Sequence, residues 1–109
     1  MTVICIDFDG VINTYDGWAG IDELFEPKEG VREFLQELYK EYAIVILTAR
    51  NINDVQSWME KYQLPFDRVT NVKVPAKAYI DDRALKFNGD YKETLNELKD
   101  FKTHWELKE

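Results

Sequence analysis

Apolar residues fall along this chain in two rhythms. Three short runs, Val3-Ile4-Cys5-Ile6, Ala43-Ile44-Val45-Ile46-Leu47 and Ala78-Tyr79-Ile80, are β-branched or aromatic and lack polar alternation. A strand covered on both faces reads this way, as in a parallel sheet. Arg68 to Val72 is a weaker fourth strand. Between the runs the rhythm becomes helical. Val31, Phe34, Leu35, Leu38, Tyr39 and Tyr42 form one apolar stripe at helical spacing. Val55, Trp58, Met59 and Tyr62 repeat it, with Asn51 or Asn53 as the N-cap. A third helix is expected from about Tyr91 to Trp105, burying Leu95, Leu98 and part of Phe101 and Trp105.

The order is strand, long loop, helix, strand, helix, strand, strand, helix. Such alternation predicts right-handed crossovers and an α/β fold, a three-layer α/β/α arrangement around a small, doubly wound, mostly parallel, Rossmann-like sheet. The chain has 109 residues, and no repeat or Pro/Gly/Ser-rich linker divides it, so residues 1–109 are expected to form one domain. Its three Trp, six Tyr and six Phe are expected to be mostly core.

Composition narrows the function. With 45% hydrophobic and 32% charged residues the chain is ordinary globular material rather than a disordered segment. The net charge of −7 argues against a broad nucleic-acid-binding surface, which needs a basic face. It leaves room for a small phosphorylated substrate, because a bound metal ion can supply local positive charge. The one cysteine, Cys5, cannot form an internal disulfide and reads as a buried structural thiol. No stretch approaches the length of a membrane span, and the N-terminus lacks the pattern of a leader peptide. A cytoplasmic protein without membrane contact is expected. His104, the single histidine, reads as a surface or packing residue.

The chemistry gathers where the apolar strands end. The first run ends in Asp7-Phe8-Asp9-Gly10, the second in Thr48-Ala49-Arg50, the third in Asp81-Asp82-Arg83. In a parallel sheet these ends share the carboxyl edge, where open α/β sheets place their ligands. Four carboxylates there repel one another unless some are protonated or a cation sits among them. All-oxygen donors of this kind suit Mg²⁺. Asp7 and Asp9, two residues apart on extended backbone, leave it on one side, which suits a nucleophile with a neighbouring acid/base. Gly10 lets the chain turn closely past a ligand. Each motif alone is common in turns; their occurrence together and in this order points to phosphoryl transfer.

These residues resemble the haloacid-dehalogenase-like superfamily of aspartyl-phosphate phosphatases. The matching motifs are Asp7-Phe8-Asp9-Gly10-Val11, Leu47-Thr48-Ala49-Arg50 and Tyr79-Ile80-Asp81-Asp82-Arg83-Ala84. The resemblance spans Val3 to about Phe87 and is strongest to small, capless phage and bacterial hydrolase-like members. It implies that Asp7 attacks phosphorus and becomes a phosphoaspartate, while Asp9 protonates the leaving oxygen and then activates water. It implies Mg²⁺ held by Asp7, the Asp9 backbone carbonyl and Asp81, with Asp82 close by or acting through water. The phosphate would be met by the Thr48-Ala49-Arg50 segment, Thr48 donating its hydroxyl, and by a lysine. Lys73 is favoured over Lys77, which would sit about 13 Å below Asp81 at strand rise. Arg50 and Arg83 either touch substrate or fix a carboxylate by bidentate pairing.

Many relatives insert a cap domain; here only Val11 to Glu26 separates the first motif from the first helix. This segment, with Asn13, Thr14, Tyr15, Asp16 and Trp18 and the flexible Gly17 and Gly20, reads as a substrate lid or as a packed loop whose Trp18 and Phe25 cover the core, the latter favoured. The resemblance therefore implies a phosphohydrolase with an open site, acting on a phosphomonoester, nucleotides and nucleic-acid ends among them. Competing expectations are a phosphotransferase on the same scaffold and a non-catalytic module that binds phosphate and metal. Oligomeric state stays open.

Overall fold

The computed structural model describes residues 1–17, 23–103 and 106. Trp18, Gly20, His104 and Trp105 lie outside the described residues. The elements run β1 (Val3–Asp7), α1 (Val31–Tyr39), β2 (Ala43–Leu47), α2 (Ile52–Lys61), β3 (Arg68–Thr70), β4 (Ala78–Ile80) and α3 (Tyr91–Asp100). The strands form one sheet, every pair parallel, in the order β3-β2-β1-β4. The fold is α/β, as the alternating apolar rhythms predict.

Register decides which side chains face the helices. Ile4 lies beside Ile44 and Ile6 beside Ile46, so these four share one face of the sheet. With Phe8 they meet Val31 and Leu35 of α1 and Val55, Trp58 and Met59 of α2 in a single core. Phe8 is fully buried and meets the Trp58 ring edge-on at 4.9 Å. Helix α2 begins where expected, with the Asn51 side chain accepting from the Asp54 amide.

The opposite face is covered differently. Cys5 and Val45 are buried there, although α1 and α2 lie on the other side. The connection from β3 to β4, residues 71–77, contains no helix, and the Val74 backbone bonds the Cys5 thiol. Burial pushes that thiol above its ordinary pKa, as befits a structural cysteine.

Four expectations need correction. The run Ala78-Tyr79-Ile80 is an edge strand with Ala78 and Tyr79 exposed, because apolar content without alternation does not distinguish a central strand from a short edge. Strand β3 stops at Thr70, where the Thr70 hydroxyl accepts from the Val72 amide and turns the chain. Helix α3 starts on the Asp90 cap, whose side chain accepts from Lys92 and Glu93 amides, and ends at Asp100. It buries none of its residues, Leu95 and Leu98 included, so among the described residues it does not supply the second helical layer of an α/β/α sandwich. An amphipathic stripe shows that a helix has an apolar side, not where that side docks. The aromatics divide as well: Phe8 and Trp58 are core, whereas Phe34, Tyr39, Tyr79, Phe87 and Tyr91 are exposed. No helix among the described residues is long and apolar enough to cross a membrane.

This packing makes a contrast measurable by denaturant unfolding. Leu35→Ala removes a fully buried side chain and is expected to cost about 2–5 kcal/mol. Leu95→Ala on the exposed side of α3 is expected to change stability by no more than about 0.5 kcal/mol.

Candidate active site

The strand order sets the site before any side chain is considered. The chain moves from β1 to β2 to β3 in one direction and then returns past β1 to place β4 on its other side. The direction of winding reverses between β1 and β4, and open α/β sheets place their ligands at the carboxyl edge of such a point. Asp7 is the last residue of β1, and Asp81-Asp82 follow β4 directly. One carboxylate oxygen from each of Asp7, Asp81 and Asp82 lies within 4.8 Å of the other two.

Crowding shows in the electrostatics. The Asp7 carboxyl, half-buried at the base of the group, is pushed from its ordinary 3.8 to about 7. Desolvation is the largest cause, followed by the negative charges of Asp81, Asp82 and Asp9; Arg83 opposes them. Arg83 is anchored nearby, its amide donating to Asp81 Oδ1 at 2.8 Å. Three carboxylates in this state form an all-oxygen donor set whose repulsion a hard divalent cation would relieve. Such a set could hold a metal ion.

Gly10 makes the grouping possible. It has φ 89°, and a Cβ built there would fall 2.1 Å from Asp82 Oδ2. From the sequence Gly10 reads as a close turn past a ligand; in the fold its close neighbour is the Asp82 carboxylate.

Asp9 stands apart from the trio. Phe8 points into the core, and a turn follows in which the Ile12 amide donates to the Phe8 carbonyl at 3.0 Å. Arg50 Nε donates to both Asp9 oxygens, at 3.0 and 2.9 Å, and this pair is largely buried. Asn13 Nδ2 donates to Asp9 Oδ1 at 2.9 Å. Of the two open roles for Arg50, the structure displays carboxylate fixing, with Asp9 as the partner.

The β2 end supplies the remaining side. Thr48 is buried, and its hydroxyl oxygen accepts from the Arg50 amide at 3.0 Å, which leaves its proton to donate. Ala49 is exposed in this turn. Asn71 Nδ2 ties the segment to β3 by donating to the Thr48 and Arg50 carbonyls at 2.7 and 2.9 Å. The two lysines separate. Lys77 is at the amino edge, its amide on the Val3 carbonyl and its ammonium 5.5 Å from the Tyr42 ring centre. Lys73 is placed over the Tyr79 ring at 4.3 Å. Tyr79 pairs with Cys5 in the sheet, two residues before Asp7.

The loop from Val11 to Glu26 is packed where it is described. Ile12 is fully buried, Tyr15 meets Phe25 edge-on at 5.6 Å, and Trp58 Nε1 donates to the Phe25 carbonyl. In the sequence Asn13 reads only as part of this loop, and nothing there announces the tethers made by Asn71 and by Lys28, whose ammonium donates to the Gly10 carbonyl at 3.1 Å. A buried Asn just after an Asp-x-Asp-Gly turn could have been flagged by its capacity to bond turn amides. Nothing local distinguishes Asn71 or Lys28, whose partners are distant in sequence. A scan against protein-family models, a search of curated proteins and a search of solved structures each found no match.

Two outcomes test this geometry. Because folding raises the Asp7 pKa, the native state holds a proton that the unfolded chain has released. The Asp7 contribution to stability therefore declines as pH rises from about 4 to about 7 and is flat above. In EDTA, the thermal midpoint should fall between pH 5 and pH 8 more steeply in the wild-type chain than in Asp7→Asn, with Mg²⁺ raising it at pH 8. Gly10→Ala should lose at least about 2 kcal/mol in chemical denaturation through strain and the clash with Asp82. Adding Asp82→Ala should recover part of that loss.

Proposed function

We propose that the chain is a Mg²⁺-dependent phosphohydrolase of haloacid-dehalogenase-like type that cleaves phosphomonoesters through an aspartyl-phosphate. The observation that carries this reading is the convergence of Asp7, Asp81 and Asp82 within 4.8 Å at the carboxyl ends of β1 and β4. The reversal of winding there is what a doubly wound, Rossmann-like sheet requires. Asp7, Asp81, Asp82 and the Asp9 backbone carbonyl would hold the cation. When bound, Mg²⁺ supplies the positive charge that keeps Asp7 ionised and offsets the phosphoryl oxygens.

The chain's own residues account for the rest. An ionised Asp7 oxygen attacks phosphorus, the phosphorus–oxygen ester bond breaks, and the leaving oxygen takes its proton from Asp9. In the second step a water molecule gives a proton to Asp9 and attacks the phosphoaspartate, releasing phosphate and restoring the Asp7 carboxylate. The Thr48 hydroxyl can donate to a phosphoryl oxygen, and Arg83 carries the cationic charge felt at Asp7. Arg50 must loosen its hold on Asp9 for that carboxyl to carry a proton, and an arriving phosphate competes for the same guanidinium.

Turnover of p-nitrophenyl phosphate, nucleotides and 3′- or 5′-phosphorylated oligonucleotides is expected with Mg²⁺ and not with EDTA. Asp7→Asn should lower kcat at least about 10³-fold while leaving the fold intact by circular dichroism. Metal-independent turnover, or full activity in Asp7→Asn, contradicts the reading. Tight phosphate binding without turnover across the panel would identify a binding module instead.

A further inference from the structure

We propose that Asn13 is the positioning residue for Asp9 and that it ties the aim of that carboxylate to the backbone of Tyr15 and Leu24. The inference rests on the phosphohydrolase reading for the step it affects, since Asp9 is there the acid and base.

Asn13 is fully buried, and its amide is saturated. Both Nδ2 hydrogens are used, one on Asp9 Oδ1 at 2.9 Å and one on the Leu24 carbonyl at 3.0 Å. The Oδ1 atom accepts from the Gly10 amide at 2.9 Å and from the Tyr15 amide at 3.1 Å. Two N–H donors face one end of the amide and two acceptors the other, so the orientation of the group follows from its neighbours. A buried amide with four partners has little freedom to rotate, and rotating it would strand buried polar groups.

The four partners belong to two systems. Gly10 and Asp9 lie in the turn that carries the acid; Tyr15 and Leu24 lie on the outgoing and returning arms of the loop. One side chain spans both. Arg50, the other group on Asp9, is a cation that a phosphate can draw away. Asn13 is a neutral amide with no such competition, so its bond to Oδ1 can hold the carboxyl while Arg50 moves.

A positioning role differs from a structural one in its dependence on the leaving group. Protonation matters greatly for an alkyl phosphate and little for p-nitrophenyl phosphate, whose leaving group is stable as an anion. Asn13→Ser should lower kcat/KM on an alkyl phosphate by roughly 10–100-fold and on p-nitrophenyl phosphate by less than about threefold. In an Asp9→Ala background the Asn13→Ser effect on the alkyl phosphate should vanish. Equal losses on both substrates, or a loss that persists without Asp9, overturn the proposal. The contact is also read in the unmodified chain by proton–nitrogen NMR, which does not need the serine variant to fold. The Asn13 side-chain amide should exchange slowly with solvent and shift on Asp9→Ala; exchange at the rate of an exposed asparagine, or no shift, overturns the proposal. Absence of any Mg²⁺-dependent turnover in the wild-type chain would refute the phosphohydrolase reading, while the amide measurement still decides whether Asn13 holds Asp9.

Discussion

Like charges held close together at the carboxyl edge of the sheet govern the design of this molecule. Three carboxylates within 4.8 Å resist their own assembly; Arg83 opposes that repulsion at Asp7 and Lys28 holds the neighbouring Gly10 carbonyl, while Lys77 is at the far edge. Folding brings them together because the backbone leaves no other place for them. Asp7 is fixed by five-residue register with β2, and Asp81-Asp82 by the pairing of β4 on its other flank. The sheet is stabilised by its buried face, so the core bears the electrostatic strain of the edge. A part of that strain is expressed as the raised pKa of Asp7, which relaxes by taking up a proton or a cation.

The two acidic residues of the first motif receive opposite treatment, although they stand two positions apart. Asp7 continues the strand and looks toward other carboxylates. Asp9 lies beyond Phe8, in a turn, and looks toward Arg50 and Asn13. The buried Phe8 ring, locked against Trp58, is the pivot between these environments. Carboxylates whose surroundings differ this strongly suit different chemical tasks, and the proposed function gives Asp7 the nucleophile's role and Asp9 the proton carrier's. Gly10 serves both, giving Asp82 the room to approach and Asn13 an amide to grip.

The sheet is unevenly clothed. Helices α1 and α2 share one face because successive crossovers in one direction return on the same side. On the other face, the segment 71–77 meets the buried Cys5 through the Val74 backbone. The same stretch begins with Asn71, which braces the Thr48 turn, and ends with Lys77 at the opposite edge. Helix α3 adds no layer among the described residues, so the site depends on the part of the chain before it.

Much of this could be read from residues in order. Strands β1 and β2, helices α1 and α2, the Asn51 cap and the gathering of Asp7, Asp81 and Asp82 follow from patterns a few residues long, because hydrophobic periodicity and strand ends are local properties. What needed the folded chain is non-local. The exposed edge position of β4 depends on strand order. The undocked α3 depends on whether a surface exists to receive it. The choice of Asp9 by Arg50, and of Thr48 and Arg50 carbonyls by Asn71, joins residues separated by 41, 23 and 21 positions. Side-chain type announces what a residue can bond, whereas partner choice is made by the packing that brings two distant segments within 3 Å, and only the tertiary structure contains that information.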